Sequence, residues 1–427
     1  MLSVRLPSAL RALRHRNYRL FFAGQFVSLI GTWMQSVAQS WLVYRLTGSG
    51  ALLGLVGFAG QFPVFLVAPL GGALADRQSR HRILLATQTT AMALASTLAL
   101  LTLTGRVQVW HLFVLAALLG LVNAFDIPTR QAFVPEMVGR EDLVNAIALN
   151  SSMFNGARIV GPAVAGILVA AVGEGWCFAA NAISYLAVLA GLLAMRLSPR
   201  AASTATEPAL RSVLEGFRYV VRTPPVRTLL LLLGLVSLTG MPYAVLMPLF
   251  ADRVLHGGPG SLGVLLGATG VGALIGALHL AVRRGLRGLS RWVVGAAASF
   301  GASLVLFSLS RTLPLSVALL LPVGFSMMTQ MAASNTLIQS MVPDRLRGRV
   351  MAVYSMMFMG MAPLGALLAG TAADRIGAPA TVAVGGTVCI VGATLLGSRL
   401  LALRPMTKEM ILAARDAASG HDPLGPA

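Results

Sequence analysis

The chain alternates between long apolar runs and short polar segments. Each apolar run holds about 20 residues, the length that crosses a bilayer as a helix. A helix is expected because hydrocarbon offers no partners for backbone N–H and C=O groups. The expected limits of the twelve runs are 19–43, 50–75, 83–104, 109–130, 145–172, 176–196, 227–250, 260–282, 292–310, 314–338, 349–372 and 379–401. We therefore predict an all-α membrane protein with twelve transmembrane helices.

Composition agrees with this class. Hydrophobic residues make up 56% of the 427 residues and charged residues 11%, whereas soluble proteins carry about a quarter charged residues. The net charge of +19 comes from Lys and Arg clusters between apolar runs, a pattern typical of membrane topology rather than of nucleic-acid binding. Cys177 and Cys389 lie inside apolar runs and are interpreted as small hydrophobic residues.

The basic residues also predict the orientation. Alternate loops on one side carry 27 of the 33 Lys and Arg residues, and loops on the other side carry 5. Because basic loops stay in the cytoplasm, both termini are expected there. No small-residue cleavage site follows the first run, so we expect that span to be retained.

The longest connection, 198–225, separates two sets of six spans. It begins with the linker-like SPRAASTATEP and continues with LRSVLEGFRYVVR, an amphipathic pattern typical of a helix on the inner leaflet. Pro135 and Pro343 follow the fourth and tenth spans in similar turns, which indicates a repeat. The expected domains are a six-helix bundle (1–197), a cytoplasmic linker with an amphipathic helix (198–225), a second bundle (226–401) and a cytoplasmic tail (402–427).

Polar side chains recur along one face of the first span, at spacings of 3, 4, 3 and 4. They are Gln25, Ser28, Thr32, Gln35 and Gln39. Facing lipid would leave them without partners, so they line a substrate cavity or form interhelical hydrogen bonds.

The fifth span carries a second polar stripe of Ser151, Asn155 and Arg158. Arg158 would lie roughly 20 Å along this helix, at a depth where a cation faces a cavity or a counter-charge. We expect the stripe to line the cavity and Arg158 to contact an anionic or electron-rich part of a cargo. The alternative is a fixed pair with a polar neighbour.

Asp126 is the one acidic residue inside a predicted span. Arg130 follows one helical turn later and is its local candidate partner. Proton coupling needs a titratable group within the membrane, and Asp126 or His279 could supply it.

Three stretches resemble the major facilitator superfamily, in particular its branch of enterobactin exporters and macrolide efflux pumps. They are HRNYRLFFAGQFVSLIGTWMQSVAQSWLVYRLTGSGALLGLV, the ADR turn within GGALADRQSRHR, and FDIPTRQAFVPEMVGREDLVNA. The resemblance covers residues 11–401. It implies a secondary transporter of the bacterial inner membrane, built from two six-helix bundles, that alternates between inward-facing and outward-facing states.

The resemblance also implies roles for individual residues. It implies a cytoplasmic gate of Gly72, Asp76, Arg77, Arg80, Asp126 and Arg130, in which Arg80 reaches Asp126. A glycine-proline motif of antiporters is similar to Gly156, Gly161, Pro162 and Gly166, which would bend or pack the fifth span.

The chain departs from the superfamily pattern in its turns. Ser79 stands where the pattern has glycine, and Leu280 stands where the second half would carry an acid. A latch between the halves would therefore be one-sided. The similar GTAADRIG, with Asp374, falls on the outer side by span parity and is interpreted as unrelated to the gate.

We expect a transporter that exports a small amphipathic molecule, a siderophore or a drug, across the inner membrane, with proton antiport implied by the family. The sequence contains no phosphate-binding loop, zinc-ligand pair or nucleophile elbow, so we expect neither an enzyme nor a cofactor or metal. The expected partners are the cargo, protons and the bilayer, without nucleic acid, and the expected state is a monomer. A lysophospholipid mover or a multispan membrane enzyme is the alternative.

Overall fold

The computed structural model describes residues 8–196, 209–283, 285–286 and 288–419. Helices occupy most of these residues, and no strand occurs among them. The helices before the linker are α1 (Arg16–Thr47), α2 (Gly50–Arg77), α3 (Arg80–Leu103), α4 (Val109–Val138), α5 (Leu143–Val172) and α6 (Glu174–Leu193). The later helices are α7 (Ala209–Arg222), α8 (Pro224–Leu235), α9 (Met247–Leu249), α10 (Gly258–Val282), α11 (Leu289–Leu309), α12 (Leu313–Met341), α13 (Asp344–Ile376), α14 (Ala378–Ala402) and α15 (Arg404–Ser419).

The described residues contain 12 helical segments long and apolar enough to cross a membrane. This confirms the predicted number of spans. The segments are α1 to α6, the stretch Pro224–Val254, and α10 to α14. Most extend a few residues beyond the apolar runs, because the polar residues that follow each run continue the same helix.

The seventh span differs from the uniform helix expected over 227–250. After α8 come a π turn (Val236–Gly240), a 3-10 turn (Met241–Ala244), the short α9 and a second π turn (Phe250–Val254). Pro242 and Pro248 lie in this stretch, and a proline removes a backbone donor from the helical ladder. Interruptions of this kind often accompany functional sites and hinges.

Short turns connect the helices of the first half. Gly48 ends α1 with φ 63°, in the left-handed region that favours glycine. Ser49 then begins α2, and its hydroxyl accepts a hydrogen bond from the amide of Leu52 at 3.3 Å. Two residues thus suffice to reverse the chain.

Contacts divide the chain into two compact units. The first comprises Met1–Thr206 and Met247–Gly267, and the second comprises Glu207–Leu246 and Ala268–Ala427. The predicted linker lies partly outside the described residues, and its amphipathic part corresponds to α7. The domain boundaries expected from sequence remain a prediction.

In the first unit, α1 packs against α5 and α6, and α2 packs against α4. The second and fourth spans also pack together in the second unit, where a Cβ at Gly272 would collide with the backbone of Leu321. The third and sixth spans pack together in both units, as α3 with α6 and α11 with α14. This repetition agrees with the internal repeat inferred from the sequence.

Candidate functional site

The turn between α2 and α3 is built around Arg80. Its guanidinium donates to the Glu136 carboxylate of α4 at 2.8 Å and to Asp76 at 3.2 Å. It also donates to the backbone carbonyls of Ala132 and Ala75, at 2.7 and 3.1 Å. The Arg80 side chain is 10% exposed, whereas that of Asp76 is 49% exposed. Arg80 therefore braces α2, α3 and α4 at this end of the unit.

Arg80 does not contact Asp126, so the prediction of this contact is wrong. Asp126 is buried and forms an ion pair with Arg130 at 2.9 Å, the local partner. Its other carboxylate oxygen accepts from Thr87 at 3.0 Å and from Gln88 at 2.7 Å. One helical turn brings Arg130 to the carboxylate, while Arg80 meets Glu136, which lies ten residues closer to the end of α4.

Two other proposed gate residues lie near the same turn. Arg77 is exposed, and a Cβ built at Gly72 would meet no atom within 4 Å. The glycine that allows close packing is its neighbour Gly71, because a Cβ there would lie 3.0 Å from the Phe125 Cα. The gate roles of Gly72, Asp76 and Arg77 remain predictions.

The polar stripe of α1 is mostly buried. Gln25, Ser28 and Gln35 are each at most 6% exposed. Gln35 accepts a hydrogen bond from the Asn181 amide of α6 at 2.6 Å. Gln35 thus forms an interhelical hydrogen bond, and the cavity role of Gln25, Ser28 and Gln35 remains a prediction. Thr32 and Gln39 are partly exposed, and their cavity role remains a prediction.

The α5 stripe separates into two kinds of residue. Asn155 is buried, and its amide donates to the Ser151 carbonyl in the same helix at 2.9 Å. Arg158 is partly exposed, and its guanidinium carbon lies 5.8 Å from the centroid of the Trp33 ring of α1. Of the three stripe residues, Ser151 and Arg158 are therefore the two with exposed surface.

The glycines of the predicted bending motif are packing sites. A Cβ at Gly161 would lie 2.5 Å from the Trp33 Cβ, and one at Gly166 would lie 3.1 Å from the Gly263 Cα. Pro162 is buried within α5, and Gly156 lies in ordinary contact with the Phe26 ring. Close packing explains why small residues occur here, and the bending role remains a prediction.

Sequence reasoning missed an aromatic line next to this stripe. Phe22 and Phe26 of α1 stack at 6.4 Å, and Trp33 meets Phe154 of α5 edge to face at 5.6 Å. Phe22, Phe26 and Trp33 follow at spacings of 4 and 7, so they share one helix face. That spacing was available in the sequence, but the partner Phe154 was not.

Sequence reasoning also missed a cluster of polar contacts at the C-terminal end of α1, which we call the Thr47 end. The Tyr44 hydroxyl donates to the Asp252 carboxylate at 2.5 Å, and Arg253 donates to the Gly48 carbonyl at 2.8 Å. Arg45 forms two hydrogen bonds with the buried Glu174, at 2.7 and 3.1 Å. Asp252 and Arg253 belong to the segment Met247–Gly267, which packs within the first unit.

The N-terminal 3-10 helix (Ser8–Arg14) forms a third cluster around Asp142. Asp142 pairs with Arg11 and Arg14, each at 2.8 Å, and with His15 at 2.7 Å. The hydrogen bond with His15 and the charges of both arginines hold the pKa of the carboxyl below its usual value, although burial opposes the shift. This cluster fastens the chain before α1 to the turn between α4 and α5.

Other ionisable side chains suggest no metal centre. The described residues contain no group of three His, Cys, Asp or Glu side chains placed to hold a metal ion.

His279, the second candidate for proton coupling, packs against Trp292 and Phe325, whose ring centroids lie 4.8 and 5.7 Å from that of the imidazole. In α12, the Gln330 amide nitrogen and the Ser334 hydroxyl are buried, with no hydrogen-bond partner among the described residues.

A family model described as "Transmembrane secretion effector", of the major facilitator superfamily, matches residues 7–419. The chain belongs to this family. The expected membership in the branch of enterobactin exporters and efflux pumps is confirmed.

Curated relatives of this family member cover most of its length. The multidrug efflux pump Tap of Mycolicibacterium fortuitum is 30% identical over 82% of this chain and 88% of its own. The staphyloferrin A transporter of Staphylococcus aureus is 26% identical over 87% of this chain and 94% of its own. The enterobactin exporter EntS of Escherichia coli is 27% identical over 90% and 91%.

Solved structures share the fold. A transporter of the POT family has a TM-score of 0.71 at 11% identity, with 92% of this chain and 96% of that chain covered. The nucleoside transporter NupG has a TM-score of 0.67 at 16% identity, with 93% and 99% covered. Together with the twelve apolar helices, these findings make the protein a multi-pass transporter of the inner membrane with the major facilitator fold.

Proposed function

We propose that this transporter exports a small amphipathic molecule, such as a siderophore or a drug, from the cytoplasm by alternating access. In this proposal both termini and the Gly71–Arg82 turn face the cytoplasm, and protons move in the opposite direction. The protein acts as a monomer. The names of the curated relatives support export of such cargo, and one structural observation carries the proposal further.

That observation is the position of Arg158. It lies fifteen residues from the start of α5 and fourteen from its end, so about 21–22 Å of helix extends on either side. A guanidinium at mid-depth that is still partly exposed is costly against lipid and is found facing water-filled cavities. Arg158 is therefore the best-placed described residue of the first unit to meet a cargo inside the membrane.

Asp126 is the candidate for proton coupling. It lies eighteen residues into α4 and is 3% exposed, within a set of donors from Thr87, Gln88 and Arg130. Binding a proton would remove the charge that Arg130 balances, so that pair would have to separate. Exchange of the Arg130 contact for a proton is one physical route from a proton gradient to a change of conformation.

The test is transport by purified protein in proteoliposomes under an imposed pH gradient. The panel contains a catecholate siderophore, a macrolide and a fluorescent lysophospholipid. We expect gradient-dependent movement of the siderophore or the macrolide, and loss of movement in Arg158→Gln with insertion retained. Movement of the lysophospholipid alone would replace the proposal with lipid transport. A cargo flux that does not depend on the imposed pH gradient would overturn proton coupling.

Asp126→Asn separates coupling from cargo recognition. If Asp126 carries the proton, this variant should exchange cargo between equal pools while losing accumulation driven by the gradient. Full gradient-driven accumulation in Asp126→Asn would exclude Asp126 as the coupling residue.

A further inference from the structure

The surface around Arg158 contains an aromatic pair that is only partly buried. Trp33 and Phe154 meet with an angle of 73° between their ring planes. Phe154 nevertheless remains 47% exposed. A half-exposed ring in a membrane-spanning helix faces either lipid or water, and the side chains beside it on α5 decide between the two.

The two exposed faces of α5 differ in chemistry. One carries Ser151, Phe154 and Arg158 at spacings of 3 and 4, with the exposed Val144 and Ile147 on the same face nearer the start of the helix. The other carries the exposed aliphatic residues Val160, Val164 and Ile167. A cation at mid-depth avoids lipid, so the Phe154 face is the one directed to water and the aliphatic face is the one suited to hydrocarbon.

Neighbouring glycines hold this surface together. Because Gly161 sits against the Trp33 Cβ, any larger residue would push α1 away from α5 and separate the two rings. A Cβ at Gly156 would make only an ordinary contact with the Phe26 ring at 3.6 Å, so Gly161 is the position of the two where packing requires glycine. The local sequence FNGARIVG thus places one exposed ring and one cation on a closely packed helix pair.

We propose that Trp33, Phe154 and Arg158 form a recognition surface for a cargo in which an aromatic ring bears an anionic group. The ring packs on Phe154 and the edge of Trp33, and the anion meets the Arg158 guanidinium. The 5.6 Å and 5.8 Å separations put both contacts within reach of one small molecule. This inference rests on the proposed export function and assigns the chemical class of its cargo.

The test is equilibrium binding to purified full-length protein with four matched probes. They are 2-naphthoate, the neutral 2-naphthamide, the saturated decalin-2-carboxylate and the cationic 2-naphthylmethylammonium. We expect wild-type protein to bind 2-naphthoate most tightly. Arg158→Gln should abolish the preference for naphthoate over naphthamide, and Arg158→Lys should restore part of it. Equal affinity of wild-type protein for all four probes would overturn the inference.

The aromatic contact is tested by Phe154→Leu against the matched control Phe113→Leu, which changes a 37% exposed ring of α4. An aromatic contact is worth about 0.5–1.5 kcal/mol beyond its area, so Phe154→Leu should weaken naphthoate about 2- to 12-fold. The affinity for decalin-2-carboxylate should change little in this variant. Equal effects of the two substitutions would overturn the role of Phe154.

Binding and transport separate this inference from the proposed function. If the probe preferences hold but no panel compound crosses proteoliposomes, export is wrong and the recognition surface stands. If export is measured while Phe154→Leu and Arg158→Gln keep wild-type preferences, the recognition surface is wrong and export stands.

Discussion

The two ends of the first unit use similar side chains in different ways. At the Gly71–Arg82 turn, Arg80 joins α2, α3 and α4, helices that follow one another along the chain. At the Thr47 end, Tyr44 and Gly48 bond to Asp252 and Arg253, which the chain reaches about two hundred residues later. Bonds between neighbouring helices brace a bundle, whereas bonds to a distant segment can break while both partners stay folded.

This difference changes where a latch is expected. The sequence pattern directs attention to Asp76, but the described contacts of that turn stay within the first unit: Arg80 joins α2 to α4, and the His81 ring lies 2.8 Å from the Leu192 carbonyl of α6. The segment Met247–Gly267 leaves the second unit at Leu246 and returns to it at Ala268. Its first residues, up to Val254, belong to the interrupted stretch of π and 3-10 turns, where a change of backbone angle is easiest. The Thr47 end is therefore where we expect a contact that opens and closes.

The largest effect is expected from Tyr44→Phe. This change removes the hydroxyl that donates to Asp252. A hydrogen bond to a charged group is worth about 1.5–3 kcal/mol, so the segment should detach about 12- to 160-fold more often. The measurement is the rate of thiol labelling at Ser261→Cys, a buried position of the segment, with and without Tyr44→Phe.

Tyr18→Phe is the matched control at the other end of α1. The Tyr18 hydroxyl donates to the Ala146 carbonyl at 2.8 Å, a contact between α1 and α5. Its loss should lower stability without changing Ser261→Cys labelling. If both tyrosine substitutions speed labelling equally, the Thr47 end is no more a latch than the turn end.

The next effect is a loss of stability in Arg80→Gln. Four acceptors depend on this guanidinium, and a buried acceptor left without its donor costs about 1–3 kcal/mol. We expect a lower midpoint of thermal unfolding in detergent and unchanged labelling at Ser261→Cys. Arg82→Gln, at an exposed neighbour, is the control. Faster labelling in Arg80→Gln would contradict a purely bracing role.

How far the sequence predicts this molecule depends on the kind of interaction. The number of spans was predictable because hydrocarbon forces each apolar run into a helix. The partner of Asp126 was less certain, since helical spacing places Asp126 and Arg130 on one face but does not say which helix lies opposite. Asn181 opposite Gln35, Phe154 opposite Trp33 and Asp252 opposite Tyr44 are pairs more than a hundred residues apart, so only the packed structure reveals them.

A smaller effect concerns pH and Asp142. The pKa of the Asp142 carboxyl lies below its ordinary value, first through the hydrogen bond with His15. A carboxyl with a lowered folded pKa adds stability that is fully present above the unfolded pKa and is lost as pH falls through the folded pKa. Wild-type protein should therefore keep this contribution from pH 5 to 8 and lose it below about pH 4.

Thermal unfolding across pH 3–6 checks this contribution. Asp142→Asn should unfold at a lower temperature than wild-type at pH 6, and the difference should shrink toward pH 3. Glu141→Gln is the control, because Glu141 is 80% exposed and its carboxylate lies 3.9–4.0 Å from the same arginines, beyond hydrogen-bond distance. A difference that stays constant across this range would mean that the charge of Asp142 contributes nothing to stability.

The smallest effect on stability, and the sharpest question about the turn, concerns Asp76→Asn. Asp76 is half exposed and its ion pair with Arg80 joins the end of α2 to the start of α3, so its loss should cost at most about 1 kcal/mol. If Asp76 also serves as a gate, export should slow while the unfolding midpoint stays near wild-type. Asp374→Asn is the matched control, since Asp374 lies in the similar GTAADRIG of the second half. If both variants export at the wild-type rate, Asp76 is not a gate residue. The charges of the turn would then only fix its cytoplasmic orientation and supply the bracing by Arg80.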